Sequence, residues 1–393
     1  MKGHVYAGLD RQLPHVAKSD FLSTSLRHTG TAFCYNALNN GCVYQSNMTS
    51  TRVNEIDLLR FFAALLVVLF HYTFRGYAAD ALSIMPYPLL APISKYGYLG
   101  VELFFIISGF VILMTASSGS LRSFLISRFV RLYPAFWICC TITFLLTIMI
   151  GAPRFSASIS QYLVNMTMLS GFVNVPSIDG AYWSLFVELQ FYALVALLLI
   201  IGRIHQAQRF LILWLMASIA LTVIEVRHIG LLRMLLITDY SAYFIAGATY
   251  FLIWSQGASI TRAATILACW SLAIFQSINR LAAIDQHYHT TMNGYVTAGL
   301  ISSFFVLMLL VAIRCTGFWG RNRWLFAGVL TYPLYLLHQN IGYMIFNIAY
   351  PAVNPHLLLI SALLGIIAMA YLVHVYIEKP FVSFIKNNNK NLH

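Results

Sequence analysis

The sequence predicts an all-α fold, a polytopic membrane helix bundle with about ten transmembrane helices, on three observations. Of its 393 residues, 60% are hydrophobic and 9% are charged, where soluble domains carry about 45–50% and about 25% respectively. Mean hydropathy is +0.75. Long apolar runs recur along nearly the whole length, each of the roughly 20 residues that a helix needs to cross hydrocarbon with its backbone paired. There is too little polar surface for a water-exposed particle, which excludes an ordinary soluble enzyme.

Residues 1–51 stand apart from this pattern. They are mixed polar and lack the apolar core of a secretory signal, so they are not a signal peptide. They read either as a disordered extension or as a start site placed too early, with Met48 as the alternative start. The six cysteines (Cys34, Cys42, Cys139, Cys140, Cys269 and Cys315) show no metal-ligand spacing, so no metal site and no disulfide framework are expected.

The membrane part covers 52–380, and the apolar runs place spans at 56–74, 97–116, 132–151, 181–201, 210–226, 231–254, 262–279, 294–314, 324–346 and 356–377. The fifth is short and carries Glu225 near its end. A Lys/Asn-rich tail, 381–393, follows. The net charge of +12 could suggest nucleic acid, but the basic residues sit mostly in short connectors, where they report orientation instead. Ten crossings put both termini on one side. That side collects Arg52, Arg122, Arg128, Arg131, Arg203, Arg209, Arg262, Arg314, Arg321, Arg323, Lys379, Lys386 and Lys390. The other collects Arg75, Lys95, Arg154, Arg227, Arg233 and Arg280. An excess of this size places both termini in the cytoplasm.

Ionisable side chains inside apolar runs are expensive and by default mark function. The first span holds Asp57, Arg60 and His71. Eleven residues turn a helix by about 1100°, so Arg60 and His71 project from one face, about 16 Å apart along the axis. They form a polar stripe suited to a substrate with a charged end and a reactive end. Alternatively, Arg60 snorkels to the interface and His71 bonds a neighbouring carbonyl. The second span holds Glu102 near its outer end and Ser108-Gly109 midway, a small pair that permits close approach of a helix or a ligand. Arg128 and Arg131 lie at i and i+3 before Pro134, which suits a first helical turn. Such a pair can grip a phosphate, or equally can set topology or bind anionic lipid. In the fourth span, Glu188 needs a partner: Arg75 or Lys95 if it is structural, a cavity shared with His71 if it orients the imidazole. The ninth span holds Thr331, Tyr332, Tyr335 and His338, and Glu378-Lys379-Pro380 closes the tenth.

Read together, these segments resemble the acyltransferase 3 family of bacterial integral-membrane O-acyltransferases over about 55–380. Arg60 and His71 resemble the family's Arg-x10-His motif, GVELFFIISGFVI its GV-x-LFF-x-x-SGF segment, and Arg128-x-x-Arg131 its RxxR motif. Trp183-Ser184-Leu-Phe-Val-Glu188-x-x-Phe191-Tyr192 is similar to its WSL-x-VE-x-x-FY segment. Thr331-Tyr332-Pro-Leu-Tyr335-Leu-Leu-His338 is similar to SY-x-x-YL-x-H, with Thr331 where Ser is common, and Glu378-Lys379-Pro380 completes the set. Leu189 stands where a second Glu is frequent.

The resemblance implies transfer of an acyl group, usually acetyl from acetyl-CoA or another acyl-CoA, to a hydroxyl of a cell-envelope or exported carbohydrate, at the bacterial inner membrane. The acyl-CoA is then a substrate, with no bound cofactor and no metal. Arg128, Arg131 and Ser108 are expected at the donor, and His71 is expected as general base or acyl relay, with Glu188 and Arg60 beside it. Trp183, Ser184, Tyr332 and His338 are further candidates. One wet corridor is expected to join His71 to the Arg128 end. A proton-coupled transporter or flippase using the same Arg, His and Glu residues is the alternative, and acyl-CoA consumption separates the two.

Overall fold

A computed structural model describes residues 53–79, 81–224 and 230–390, with side chains through 385. The expected extension at 1–51, with Cys34, Cys42 and Met48, lies outside the described residues, as do Arg52, Glu225, Arg227 and the last residues of the tail.

Ten principal helices correspond to the ten apolar runs. They are α1 (Asn54–Phe70), α2 (Gly100–Ser117), α3 (Leu121–Ile150), α4 (Trp183–Ile200), α5 (Ala207–Val223), α6 (Ser241–Gln256), α7 (Ile260–Tyr288), α8 (Gly294–Ala312), α9 (Leu325–Ala349) and α10 (Pro355–Val373). Among the described residues, eight helical segments are long and apolar enough to cross a membrane, and α6 and α9 are not among them. The chain is therefore an all-α multi-pass membrane protein. The end of the bundle where α1 starts and α2 finishes carries Arg122, Arg128 and Arg131, and is called the basic end below.

Four elements depart from the expected spans. α3 does not begin near Pro134. It starts at Leu121, where the Ser120 side chain caps the Ser123 N–H, and runs 30 residues through Pro134. At about 45 Å it exceeds the hydrocarbon thickness of about 30 Å, so its first turns carry Arg122, Arg128 and Arg131 at the membrane boundary on a rigid helix instead of a connector. The sixth run is broken. Gly230–Leu235 is a separate short helix, Ile237 takes a positive φ of 52°, and α6 begins only at Ser241. It has 16 residues, and all from Ser241 to Ile253 are buried, so its neighbours, not lipid, cover its backbone and a full hydrocarbon length is not required.

The other two departures are wide π-turns. His71–Arg75 extends α1, with the Gly76 N–H bonded to the His71 carbonyl in an i→i+5 bond, and His374–Glu378 extends α10. The chain does not stop at Glu378-Lys379-Pro380. It continues as helix over Lys379–Lys390, into the Lys/Asn-rich tail expected from 381.

α6 packs most closely on α2, and the reason is a pair of glycines. A Cβ at Gly247 would collide with the Ile106 carbonyl oxygen, and one at Gly109 with the Phe244 carbonyl oxygen. The backbones are in contact, as small residues allow in membrane bundles. Gly247→Val is accordingly expected to destabilise the protein by about 3 kcal/mol, the upper end for overpacking, whereas Gly365→Ala, where a Cβ meets open space, is expected to be neutral. Thermal unfolding of both variants in detergent checks this. Equal midpoints for the two would show that α2 and α6 can separate at little cost.

Candidate active site

Among the described residues, two cavities between the helices share Val101 and Tyr335 in their linings. The larger, about 860 Å³, opens at the basic end among α1, α2, α3, α4 and α9. Arg60, Arg122, Arg128 and Arg131 face it, with Glu188 as its single carboxylate and with Ser108, Ser184, Tyr192, Tyr332 and Thr331 in its walls. Val382 and Ile385 of the helix after α10 complete it, so the segment expected as a tail forms part of a wall.

Within the larger cavity the acid and the arginines are held separately. Ser108 Oγ donates to Glu188 Oε1. Arg60 lies within electrostatic reach of Glu188, Asp57 and Arg131. Arg128 Nη2 donates to Ser127 Oγ at 3.0 Å and to Thr115 Oγ1 at 3.4 Å, its guanidinium lies 5.9 Å from the Tyr192 ring centroid, and its buried Nε has no partner. Arg131 lies 5.9 Å from the Tyr332 ring centroid, while Tyr332 Oη donates to the Leu132 carbonyl at 3.1 Å. Four guanidiniums against one carboxylate, with forked donors left over, make a receptor for a polyanion.

The smaller cavity, about 220 Å³, lies further along α1 towards the opposite end and is lined by His71, Arg75, Glu102, Trp183, Tyr240 and Arg280 among others. The π-turn places His71 and Arg75 together on its wall, where Arg75 Nη1 lies 3.2 Å from His71 Nε2. Partners fix the tautomers. His338 Nδ1 lies 2.8 Å from the Tyr335 carbonyl and His71 Nδ1 lies 2.7 Å from the Val67 carbonyl. A carbonyl only accepts, so both Nδ1 atoms carry hydrogen. His338 Nε2 is then an acceptor, 3.2 Å from His71 Nδ1. Arg75 only donates, so His71 Nε2 holds its lone pair and faces the cavity side of the ring. The imidazole is thus presented neutral, with its basic atom defined.

α9 is clamped around this pair. Tyr72 Oη donates to the His338 carbonyl at 2.8 Å, and a Cβ at Gly342 would collide with the Tyr72 ring. Fully buried Asp179 accepts from the Ala181 N–H and the Asn340 N–H, both at 2.9 Å. Burial pushes its carboxyl up to about 6, opposed by those N–H groups and by Arg75. Tyr335 lines both cavities. Its hydroxyl bonds Ser184 Oγ at 2.7 Å and donates to the Ala181 carbonyl at 3.1 Å, and its ring lies 5.5 Å from that of His338.

Several expectations are corrected by this arrangement. Arg60 and His71 both line the protein interior from one helix, in two cavities that share Tyr335 and Val101 in their linings. Glu188 does not share a cavity with His71, nor does it pair with Arg75 or Lys95. It bonds Ser108 in the basic cavity, while Arg75 lies on His71 and Lys95 donates to the Thr291 carbonyl at 2.7 Å. His338 is the residue beside His71. Trp183 lines the smaller cavity, and Ser184 and Tyr332 line the larger. Three contributors went unnoticed as site residues: Arg122, which counted only towards orientation, Arg75 and Asp179. Arg75 follows His71 by four, a same-face helical spacing, and Asp179 precedes Gly180 at a turn, so local signals existed for both. Among the described residues, no group of three or more His, Cys, Asp or Glu side chains is arranged to hold a metal ion.

Comparison with known proteins yields two positive findings. The family model described as Acyltransferase domain, of the acyltransferase 3 family, matches residues 53–375. Nodulation protein 10 of Rhizobium leguminosarum bv. viciae is 30% identical over 173 residues, which is 38% of this chain and 45% of that protein. The chain therefore spans less than half the length of the curated relative it matches. No solved structure matches significantly.

Proposed function

Because this chain belongs to the acyltransferase 3 family, we propose that it transfers an acyl group, acetyl in the simplest case, from acyl-CoA to a hydroxyl of a cell-envelope or exported carbohydrate. The observation that carries this reading is the pair of abutting cavities, one basic and one bearing His71. The phosphates of coenzyme A suit Arg128, Arg131, Arg60 and Arg122, and the basic end then faces the cytoplasm of a bacterial inner membrane, the side where an excess of Lys and Arg belongs. The acyl thioester reaches past Tyr335 and Val101, and the acceptor hydroxyl arrives from the opposite end beside His71.

In the transfer step the hydroxyl oxygen forms a bond to the acyl carbon while His71 Nε2 takes the hydroxyl proton. The carbon–sulfur bond breaks and the departing coenzyme A thiolate takes that proton from His71 Nε2, giving ester, free thiol and the neutral imidazole. His338 Nε2 and the Val67 carbonyl accept from His71 Nδ1–H and stabilise the transient imidazolium. Arg75, displaced from Nε2 by the entering hydroxyl, is free to face the oxygen that gains charge. Glu188 is the counter-charge among the arginines and keeps the basic cavity selective in geometry as well as sign.

The test is direct. Purified protein in lipid nanodiscs is mixed with acetyl-CoA and an envelope polysaccharide extract, and thiol release is followed together with ester mass on the polysaccharide. Acceptor-dependent thiol release is expected. Solute movement in proteoliposomes without thiol release would replace the enzyme by a transporter.

A further inference from the structure

The smaller cavity has a chemistry that the transfer step alone does not require. Phe70, Tyr98, Trp183, Tyr240 and Tyr288 wall it, with the Trp183 and Tyr240 centroids 5.5 Å apart and those of Phe70 and Tyr288 5.7 Å apart. Three polar atoms of lining residues are buried with no hydrogen-bond partner, Glu102 Oε2, an acceptor, Arg75 Nε, a donor, and the Tyr98 hydroxyl. Glu102 itself is only 6% exposed. A buried carboxyl oxygen without a partner is costly unless something hydrogen-bonds it, so a ligand with hydroxyls is the natural complement.

The two arginines of the lining, Arg75 and Arg280, are each already engaged. Arg280 is committed, with Nη2 donating to the Asp239 carbonyl at 2.7 Å and its guanidinium 4.9 Å from the Tyr240 ring centroid, and it lies within electrostatic reach of Glu102. Arg75 is likewise within reach of Asp179. Each guanidinium of the lining thus has a carboxyl group within electrostatic reach, Glu102 for Arg280 and, behind the wall, Asp179 for Arg75, so neither is left for an acidic ligand to answer. The volume of about 220 Å³ falls below the roughly 300–1,000 Å³ of sites for drug-sized ligands, so one ring enters and a second does not.

We infer that this cavity takes a single neutral, polyhydroxylated ring of the acceptor, and that Glu102 selects it by accepting hydrogen bonds from hydroxyls next to the one that is acylated. This rests on the acyltransferase reading above and adds the size, charge and selecting residue of the acceptor site. Aromatic walls hold the ring's apolar faces, Glu102 reads its hydroxyls, and His71 Nε2 meets the reacting oxygen. Glu102 is a specificity-determining residue in this arrangement.

Thiol release from acetyl-CoA by the full chain in nanodiscs is measured with the envelope extract and with four probes: methyl glucoside, methyl galactoside, methyl glucuronide and cyclohexanol. At least one neutral hexoside is expected to accelerate release, with the glucuronide and cyclohexanol at least 100-fold poorer in kcat/KM, because a site built to bond hydroxyls rejects a ligand lacking them. Glu102→Gln is expected to raise the KM for that hexoside about 10- to 100-fold with the acetyl-CoA KM unchanged, and Glu102→Asp to fall between. The unchanged donor KM separates a lost contact from a lost fold. Release with the extract but with neither hexoside, equal use of cyclohexanol, or an unchanged hexoside KM in Glu102→Gln each overturns the inference and leaves the enzyme reading intact. No release even with the extract overturns both.

Discussion

Replacing His71 with Ala is expected to lower acyl transfer by about 10²–10⁴-fold, the range of a lost general base, with the protein still folded. The expectation follows from the tautomer. His71 Nδ1–H is spent on the Val67 carbonyl and His338 Nε2, so Nε2 is the one ring atom able to take a proton. His338→Ala makes the informative contrast. It removes one of two acceptors for that N–H and leaves the other, so a loss within about tenfold is expected, comparable to one hydrogen bond. Turnover numbers for both variants under saturating donor decide the matter. If His71→Ala stays within threefold of wild type, the histidine leaves the mechanism, and a larger loss for His338→Ala than for His71→Ala would move the base to the other ring.

The sequence makes the spacing of the helices and the face shared by Arg60 and His71 legible, because both follow from hydropathy and from 3.6 residues per turn. What it hides is set by departures from that period and by packing between distant segments. The π-turn at His71–Arg75 inserts an extra residue into α1, so the meeting of Arg75 with His71 is a local fact that an ideal helix only approximates. His338 is 267 positions from His71, and only the docking of α9 on α1 through Tyr72 and Gly342 joins them. Glu188 was expected near the imidazole because an acid inside an apolar helix demands a partner. The demand was real, but Ser108, one residue from the glycine that brings α2 onto α6, meets it instead. The break before α6 and the run of α3 through Pro134 were hidden for a related reason. Inside a bundle, neighbouring helices satisfy backbone that a lone helix would leave exposed, so proline and short helices lose their usual meaning as boundaries.

The double variant Arg128→Ala/Arg131→Ala is expected to raise the acyl-CoA KM by about 10²–10⁴-fold, since a hydrogen bond to a charged group is worth about 1.5–3 kcal/mol and each arginine offers a forked set to phosphate. The two guanidiniums lie at i and i+3 on α3 and share a ligand, so their single effects, about 10- to 100-fold each, will not add fully. kcat at saturating donor should change far less, because neither residue reaches the His71 cavity. Arg203→Ala supplies the control. That residue is exposed at the basic end but does not line the cavity, so it counts equally towards orientation in the membrane and not at all towards the ligand. Donor KM is measured for each protein in nanodiscs, where orientation is fixed by reconstitution and cannot confound the result. A donor KM that moves equally in the Arg203 control and the double variant would mean the arginines act as general surface charge, and an unchanged KM in the double variant would confine them to setting topology. Only a loss specific to the cavity arginines, weakening further as added salt screens the remaining charge, fits a polyanion held between Arg60 and α3.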